Sequence, residues 1–273
     1  MPVPPELQAI IDLARAAGRL VLQQQSTARR MTKRHDEAVT EADRASQRLI
    51  VEGLRKLHPG DGVIGEENDT GSGITFDCPD PRGRVWVIDP IDGTNNFIAG
   101  FGAFAVCIGL LDQGEPVLGV VHDATRDWTY AAQRGRGAYL NGEPIRALTT
   151  PLNSSTVIMS TSNLLGKDSR PPQWAIRWIS QTTWKIRILG SAALDSMQVA
   201  AGVAHGSVTV NGKLWDIAAP AAILLEAGAV LTDLRGQRIF PFDLAGYDGA
   251  KVPFLSAGPA AHEELLREIL WHP

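Results

Sequence analysis

The stretch at residues 85–97, in which an apolar run leads into two acids and a Gly-Thr pair, constrains this chain most. Residues 85–88 are all apolar, which predicts a short buried strand. Because Pro90 cannot donate to a sheet ladder and biases the residue before it toward an extended backbone, we expect the strand to end at Asp89. Asp89 and Asp92 then lie at the carboxyl end of a strand, where open α/β sheets bind their ligands.

The two carboxylates of this stretch repel each other unless a cation lies between them. Ligand sets made only of oxygen suit Mg²⁺ or Mn²⁺. Gly93 permits a tight turn, and the amides of Gly93, Thr94 and Asn95 can then face outward, as at a helix start that binds an anion. One short segment could thus hold a metal and a phosphate, although a surface turn uses the same residue types.

The bulk composition predicts a globular, cytoplasmic protein. Hydrophobic residues make up 44% of the 273-residue chain, which is enough for one large domain or two closely packed halves. The N-terminus lacks a basic start followed by an apolar core, and no apolar run is long enough to span a bilayer, so we expect neither a signal peptide nor a membrane segment. The two cysteines lack CxxC spacing and the six histidines lack paired spacing, which argues against a disulfide framework or a zinc site.

The charge distribution gives no indication of a nucleic-acid partner. The formal net charge is -4 and the isoelectric point is about 5.9, and no run of basic residues forms a stripe. A small basic cluster at Arg29, Arg30, Lys33 and Arg34 is either simply solvated or helps to attract an anionic substrate.

The N-terminal half combines two predicted helices with a mostly antiparallel sheet. Apolar residues at helical spacing predict the first helix over residues 5–25, and Thr40 with Asp43 forms a capping-box pattern that opens the second. Asn141 and Gly142 are a strong hairpin signal. The predicted strands are residues 63–64, 85–88, 103–111, 116–122, 128–133, 138–140 and 144–146, and the predicted loop is residues 68–83.

The C-terminal half alternates helices and strands, a rhythm that is typical of α/β structure. The predicted strands are residues 155–160, 185–189, 206–210, 230–231 and 253–256, and the predicted helices are residues 173–181, 191–201, 216–228 and 262–270. We place a boundary near residue 150. One compact unit then consists of an N-terminal half, residues 1–150, with the metal and phosphate site, and a C-terminal half, residues 151–273.

Five acids each lie at the end of a predicted element. They are Asp43, Glu66, Asp89, Asp92 and Asp216. Taken singly, Asp43 is a capping acid, and Asp216 occupies an N-cap position with Pro220 in the first turn behind it. Beside a Gly-Thr pair, the five acids fit a site with more than one metal, in which ions ~3.5–4 Å apart bind the attacking and the leaving oxygen of a phosphoryl transfer.

Five segments resemble motifs of the inositol monophosphatase superfamily, and they occur in family order over nearly the whole chain. The three signature blocks correspond to residues 65–67, 89–97 and 215–219, the upstream metal-loop motif to residues 39–43, and the substrate-side block to residues 190–195. The resemblance implies a layered αβαβα sandwich of the sugar-phosphatase type, with α+β and α/β character, in a homodimer. It also implies Mg²⁺-dependent, lithium-sensitive hydrolysis of a small phosphate monoester.

The resemblance assigns metal ligands at the matching positions. Glu66, Asp89 and the backbone carbonyl of Ile91 would hold the first Mg²⁺. Asp89, Asp92 and Asp216 would hold the second, and Glu66 would also support a weaker third ion. Two or three Mg²⁺ ions per site are therefore expected.

The resemblance also assigns the residues around the reacting phosphate. Asp43, Glu66 and Thr94 would activate the attacking water, and the amides of Gly93 and Thr94 would bind phosphate. Gly190, Ser191 and Ala192 would line the pocket for the alcohol part of the substrate, in the C-terminal half. A bound metal strongly lowers the pKa of water, so this chemistry needs no histidine base.

One position departs from the pattern of the family. Members that hydrolyse inositol phosphate commonly carry a glutamate six residues before the Trp-Asp pair, where it binds ring hydroxyls, and here that position is Thr209. Polar pockets discriminate strongly through hydrogen bonds, so this change affects the choice of substrate and leaves the metal ligands intact. Trp174, Trp178 and Trp184 could shape the pocket, but such tryptophans more often pack in a core or at a dimer contact.

The sequence leaves the substrate open. We expect an inositol 1-phosphate-like polyol or sugar phosphate, and the alternatives are histidinol phosphate, fructose 1,6-bisphosphate and 3′-phosphoadenosine phosphates. A binding or regulatory protein that kept the fold and lost the chemistry is an alternative of another class. Such a relative is expected to have lost one of the acids or the threonine at the site, and all of them are present: Glu66, Asp89, Asp92, Thr94 and Asp216.

Overall fold

The structure is a computed structural model, and it describes residues 3–28, 31–32, 38–68, 73–160 and 171–271. The small basic cluster at residues 29, 30, 33 and 34 lies outside these ranges. The α-helices are α1 (Pro5–Gln24), α2 (Glu41–Leu57), α3 (Thr94–Ala99), α4 (Gln173–Ser180), α5 (Ala192–Ala200), α6 (Leu214–Glu226) and α7 (Pro259–Trp271). The strands are β1 (Met31–Thr32), β2 (Ala38–Val39), β3 (Gly62–Gly65), β4 (Thr75–Asp77), β5 (Arg84–Asp92), β6 (Ala105–Asp112), β7 (Glu115–Asp123), β8 (Trp128–Gln133), β9 (Ala138–Leu140), β10 (Glu143–Ile145), β11 (Val157–Ser160), β12 (Lys185–Arg187), β13 (Gly206–Thr209), β14 (Val230–Thr232) and β15 (Phe254–Ala257).

Helices and sheets alternate in layers, which confirms the predicted αβαβα architecture. α1 and α2 pack on one face of an eight-stranded sheet with the strand order β10-β9-β8-β7-β6-β5-β3-β4. α5 and α6 lie between that sheet and a five-stranded sheet with the order β12-β11-β13-β15-β14. α4 and α7 cover the other face of the second sheet.

The local sequence signals decide where several elements form and which face they bury. The apolar residues whose spacing predicts α1, among them Leu7, Ile10 and Ala14, are almost completely buried against the first sheet. Asn141 and Gly142 have φ values of 50° and 87° and form the predicted hairpin turn between β9 and β10. Periodicity and turn chemistry therefore act here as the sequence indicates.

One parallel pair of strands in the first sheet brings two predicted site segments together. β3 and β5 run parallel, with Gly65 opposite Ile88, whereas the other neighbouring strands of this sheet run antiparallel. Parallel strands end at the same edge of a sheet. The backbone N–H of Glu66 accordingly donates to the carbonyl of Ile88 at 3.2 Å, directly before Asp89.

The structure corrects the predicted end of β5. The strand continues through Pro90 to Asp92, and its pairing with β6 is irregular between Asp89 and Asp92. Pro90 has no N–H to donate, and a proline is tolerated within a sheet where a bulge interrupts the ladder. Both acids therefore lie on the bulged strand itself and not in a loop behind it.

The predicted start of α6 is also wrong. The helix begins at Leu214 with Lys213 as its N-cap, so Asp216 is the third helical residue and Pro220 lies in the second turn. Lysine is not among the preferred N-cap residues, whereas aspartate is, and the sequence pattern therefore favoured Asp216 as the cap. The carboxylate of Asp216 still acts at the helix start, because it accepts the N–H of Lys213 at 2.6 Å.

The remaining predicted elements are present, but no sequence pattern predicts β1, β2, α3 or β4. β4 lies within the predicted loop 68–83, pairs antiparallel with β3 and is only three residues long. So short and exposed a strand carries no apolar periodicity. The elements predicted for residues 151–273 are all present, with ends shifted by a few residues. The division into halves 1–150 and 151–273 stays a prediction.

α6 packs directly on the backbone of the first sheet at two glycines. A Cβ atom at Gly109 of β6 would lie 2.6 Å from the backbone nitrogen of Ala219, and one at Gly119 of β7 would lie even closer to the carbonyl oxygen of Ala219. Carbon atoms cannot approach backbone atoms so closely, so only glycine permits this packing. This contact sets the distance between α6 and the sheet, and it therefore also sets the position of Asp216 relative to the sheet.

The three tryptophans form part of the outer core. Trp174 and Trp178 are 3% and 2% exposed, and their ring centroids are 4.7 Å apart. The ring of Trp184 lies 5.7 Å from that of Trp178. This cluster packs against the second sheet and α7, which agrees with the core alternative.

Cys78 and Cys107 are both free, and Cys107 is buried in β6. Among the residues that the structure describes, no helix has the length and apolar character needed to cross a bilayer.

Candidate metal centre

Three carboxylates that the sequence assigns to metal binding come together at one edge of the first sheet. Asp89, Asp92 and Asp216 each offer an oxygen atom, and these atoms all lie within 4.8 Å of one another. Asp89 and Asp92 come from the bulged end of β5, and Asp216 comes from the first turn of α6. Asp89 and Asp92 are almost completely buried, whereas Asp216 is partly accessible.

The N-terminus of α5 holds the carboxylate of Asp92. The carboxylate accepts hydrogen bonds from the backbone N–H groups of Ala192 at 3.2 Å and Ala193 at 2.7 Å, and from the hydroxyl of Ser191. Ser191 is also the N-cap of α5 and accepts the N–H of Leu194 at 3.2 Å. A negative charge is favourable at a helix N-terminus, so α5 both stabilises and orients Asp92.

Backbone N–H groups also orient the other two acids. Asp89 accepts the N–H of Ile91 at 3.0 Å, which the bulge of β5 permits. Asp216 accepts the N–H of its N-cap residue, and the hydroxyl of Tyr247 accepts the N–H of Leu214 at 2.9 Å. Two of the orphan donors at the start of α6 are thereby satisfied, and the first turn is fixed in place.

Asp43 contacts Thr94 across the start of two helices. Oδ2 of Asp43 accepts the N–H and the hydroxyl of Thr40 at 2.7 and 2.6 Å, so the predicted capping box of α2 forms. Oδ1 of Asp43 lies 3.2 Å from the hydroxyl oxygen of Thr94, which is also 3.0 Å from the carbonyl oxygen of Ile91. The capping role and a role at the site therefore use different oxygens of one carboxylate.

Glu66 is close enough for its charge to act on the same group of acids. It is not one of the three carboxylates within 4.8 Å of one another, but its charge contributes to raising the pKa values of Asp43, Asp92 and Asp216. The five acids predicted at element ends therefore belong to one group. Asp89, Asp92 and Asp216 lie close together, and the charge of Glu66 acts on Asp43 as well as on Asp92 and Asp216.

Two side chains of α2 hold the backbone beside these acids. The amide of Gln47 contacts both backbone groups of Glu67, accepting its N–H at 3.0 Å and donating to its carbonyl. The hydroxyl of Ser46 donates to the carbonyl of Pro90 at 3.1 Å. The ends of β3 and β5 are therefore held by one helix as well as by each other.

The electrostatics of the group fit a divalent cation. Burial, with a further contribution from the charge of Glu66, raises the pKa of Asp43 to about 6. The same two causes raise the pKa of Asp92 to about 6, and burial together with Asp92 and Glu66 raises the pKa of Asp216 well above its ordinary value. A cation placed between carboxylates that disfavour one another's ionisation would favour their charged forms, and an all-oxygen donor set is what hard cations such as Mg²⁺ prefer.

Gly93 forms the turn between β5 and α3. Its φ of 95° lies in the left-handed region, and it is the N-cap of α3. A Cβ atom here would lie 3.0 Å from the carbonyl oxygen of Ala103 and 3.4 Å from that of Gly190. Both conformation and space therefore require glycine. The predicted phosphate-binding turn thus lies against Gly190, where the predicted substrate-side block begins.

Among the described residues, no hydrogen bond connects the hydroxyl of Thr209 with the group of carboxylates. Thr209 lies at the end of β13, is 2% exposed, and its hydroxyl has no hydrogen-bond partner within the described parts of the chain. Sequence reasoning also missed the polar side chains that hold the backbone of the site, Ser46, Gln47 and Asn96. Gln47 and Asn96 contact residues 20 and 93 positions away, and the sequence around a polar residue gives no signal of so distant a partner.

Comparison with known proteins gives matches along nearly the whole chain. The family described as "Inositol monophosphatase family" matches residues 5–272. The chain is 38% identical over 206 residues to the fructose-1,6-bisphosphatase/inositol-1-monophosphatase of Thermotoga maritima, which covers 76% of this chain and 75% of that protein. It is 36% identical over 238 residues to the histidinol-phosphatase of Chlorobaculum parvum, with 86% and 88% covered. The solved structure of a Thermotoga maritima IMPase superimposes with a TM-score of 0.82 at 32% identity and covers 98% of both chains.

Proposed function

The chain belongs to the inositol monophosphatase family, and on that premise we propose that it uses Mg²⁺ to hydrolyse a small polyol or sugar phosphate. Members of this family are phosphatases that hydrolyse phosphate monoesters. The observation that carries the proposal is the group formed by Asp89, Asp92 and Asp216, whose oxygens lie within 4.8 Å of one another. Three carboxylates this close, two of them buried, are strongly unfavourable without a cation.

The metal ligands in this proposal are the residues around that group. Glu66, Asp89 and the carbonyl of Ile91 hold one ion, and Asp89, Asp92 and Asp216 hold a second. Glu66 supports a weaker third. Bound Mg²⁺ lowers the pKa of water and stabilises the charge on the leaving oxygen.

Asp43 and Thr94 orient the attacking water. The hydroxyl of Thr94 has a single proton and two acceptors near it, Oδ1 of Asp43 and the carbonyl of Ile91. With a pKa of about 6, Asp43 is mostly ionised at neutral pH. As the threonine oxygen accepts a proton from the water, the threonine hydroxyl can therefore pass its own proton to Oδ1 of Asp43, with Glu66 supporting the same water.

The substrate lies between the Gly93 turn and the start of α5. The amides of Gly93 and Thr94 bind its phosphate, in support of which Gly93 is the N-cap of α3, where the first backbone N–H groups of a helix have no intrahelical acceptor. Gly190, Ser191 and Ala192 line the alcohol side, in support of which the latter two contact Asp92. Thr209 gives the end of β13 no carboxylate, so the preferred alcohol is one that does not need an acidic partner there.

The reference substrate is inositol 1-phosphate. Histidinol phosphate and fructose 1,6-bisphosphate are alternatives that two relatives carry in their names, and 3′-phosphoadenosine phosphates are a further alternative from the family resemblance. The same resemblance supports a homodimer that lithium inhibits. Sedimentation velocity and a LiCl titration of activity test these two properties.

Phosphate release from a panel of esters tests the proposed function. The panel contains inositol 1-phosphate, histidinol phosphate, fructose 1,6-bisphosphate, 3′-phosphoadenosine 5′-phosphate and glycerol 2-phosphate, each with Mg²⁺ and with EDTA. We expect Mg²⁺-dependent release with one clear preference. No release from any ester by folded protein would overturn the proposal and favour a binding or regulatory role.

A further inference from the structure

Asn96 connects segments on two sides of the candidate metal centre. Its Nδ2 atom donates to the carbonyl of Ala103 at 2.8 Å and to the carbonyl of Leu189 at 2.7 Å. The two acceptors lie 7 and 93 positions away in the chain. Because both are carbonyl oxygens, only the amide nitrogen can face them, so chemistry fixes the orientation of this side chain.

The two segments that Asn96 holds are the same two that enclose Gly93. A Cβ atom at Gly93 would meet the carbonyl oxygens of Ala103 and Gly190 at 3.0 and 3.4 Å. Asn96 therefore sets the spacing of both neighbours of the turn that we assign to phosphate.

The backbone near both acceptors has a conformation that needs support. Ala103 has a φ of 53°, which residues other than glycine rarely adopt. Gly190, next to Leu189, has a φ of 83°, and a Cβ atom there would lie 3.2 Å from the amide of Asn96. Such conformations persist only where the surrounding structure determines them, and the amide of Asn96 supplies a hydrogen bond at each place.

The segment that begins at Leu189 is the one that orients Asp92. The N–H of Leu189 bonds to the carboxyl group of Asp195, and its carbonyl bonds to Asn96. Within the next four residues, 190–193, three groups donate to the carboxylate of Asp92. A shift at Leu189 would therefore be transmitted to Asp92 through a few bonds.

We propose that Asn96 is a positioning residue that keeps the Gly93 turn and the segment 189–193 in one fixed relation, so that phosphate, alcohol and the ligand Asp92 are in register. This inference rests on the proposed function, because it takes Gly93 as the phosphate side and Asp92 as a metal ligand. The role proposed for Asn96 needs no contact with substrate or metal. It acts through two carbonyl groups and the residues that follow them.

The test compares Asn96→Ala with Gln25→Ala. Gln25 also donates an amide N–H to a carbonyl at α3, that of Phe97 at 3.1 Å, but no bond of it to residues 189–193 is described. For Asn96→Ala we expect kcat/KM for the preferred ester to fall about 10- to 100-fold and the Mn²⁺ affinity, measured by electron paramagnetic resonance of free Mn²⁺, to fall about 10-fold, as for other groups that orient metal ligands. For Gln25→Ala we expect changes below about twofold in both quantities.

Two results would overturn the inference. One is an Asn96→Ala protein with wild-type kcat/KM and wild-type Mn²⁺ affinity. The other is an equal loss in Gln25→Ala, which would show that loosening of α3 alone is responsible. If Asn96→Ala does not fold, Asn96→Ser, whose hydroxyl has one proton and can donate to at most one carbonyl, replaces it, and we expect an intermediate loss. A wild-type protein that releases no phosphate would refute the proposed function, and the Mn²⁺ comparison would still decide the role of Asn96.

Discussion

The hydroxyl oxygen of Thr94 lies 3.2 Å from Oδ1 of Asp43, although 51 positions separate the two residues in the chain. The contact joins the first residue of α3 to the first turn of α2. The other oxygen of Asp43 is occupied by Thr40 in the capping box. One carboxylate thereby connects helix capping to the proposed activation of water.

Two substitutions of Thr94 should show how much its hydroxyl, as distinct from its methyl group, contributes to the rate. We expect Thr94→Ala to lower kcat by about 10²-fold, the lower end of the range for loss of proton transfer. Thr94→Ser keeps the oxygen near Asp43 and should stay within about threefold of wild type. Steady-state kinetics on the preferred ester measure both, and equal rates for the two variants would contradict the role of the hydroxyl.

Asp89→Asn should remove turnover without unfolding the protein. An asparagine can still accept the N–H of Ile91 through its oxygen but supplies no charge to a cation. We expect phosphate release to fall to background while the circular dichroism spectrum is unchanged. The control is Asp243→Asn, an exposed residue whose carboxylate accepts the backbone N–H of Ala245 at 3.0 Å. Undiminished activity in Asp89→Asn would remove our assignment of the metal ligands.

Mg²⁺ should stabilise the folded chain. Asp89, Asp92 and Asp216 are forced together by folding, and a cation bound only in the folded state relieves their repulsion. At a Mg²⁺ concentration 100 times its Kd, linkage gives about 2.7 kcal/mol of added stability. Thermal melts in EDTA and in increasing MgCl₂ measure the shift. A Tm that is independent of Mg²⁺ would argue against the site.

His262 should make the stability fall on acidification. Burial lowers its pKa from the ordinary value of about 6.5, and Nε2 contacts the hydroxyl of Thr232 at 2.9 Å. Because the unfolded chain binds the proton more readily, the stability from neutral His262 is fully present above pH ~6.5 and is lost as the pH falls toward the lowered pKa. His262→Gln keeps a hydrogen-bond donor and does not titrate. Its Tm should therefore drop less than that of wild type between pH 7.5 and 5.5, and the difference should equal the contribution of one titrating histidine. Parallel pH profiles for the two proteins would contradict this.

Gly119→Ala should displace α6. The added Cβ atom would collide with the backbone of Ala219, and overpacking of this kind typically costs about 1–3 kcal/mol. Since Asp216 lies on the same helix, phosphatase activity should fall as well. Gly60→Ala, where a Cβ atom meets nothing within 4 Å, is the matched control for urea unfolding and for activity. If Gly119→Ala changed neither the free energy of unfolding nor the activity, the distance between α6 and the sheet would not be fixed by this glycine.

Much of the architecture could be predicted because it depends on local patterns. Apolar periodicity determines α1, and the hairpin pair Asn141-Gly142 has its φ values built into its residue types. The end of β5 could not be predicted from Pro90, because the tolerance of a proline depends on which strand lies beside it. In this fold only β6 continues alongside, and a bulge removes the need for the missing N–H.

The site divides in the same way. The positions of Asp89, Asp92 and Asp216 at element ends predict that they act together, and the topology brings their carboxylates within 4.8 Å of one another. The partners of Asn96 and Gln47 could not be identified, because their hydrogen bonds join positions that are neighbours only after the sheets have stacked. A side-chain amide in the sequence carries no information about which distant carbonyl it will meet.

The packing of α6 on Gly109 and Gly119 has a consequence for folding during biosynthesis. On the ribosome, β6 and β7 emerge about a hundred residues before Ala219, and N-terminal segments of a nascent chain commonly begin to fold first. Until α6 has been synthesised and has packed, the sheet surface around Gly109 and Gly119 is uncovered, and the apolar residues beside these glycines are exposed to solvent. A prematurely released chain would therefore be both inactive, since it lacks Asp216, and prone to aggregate through that uncovered face.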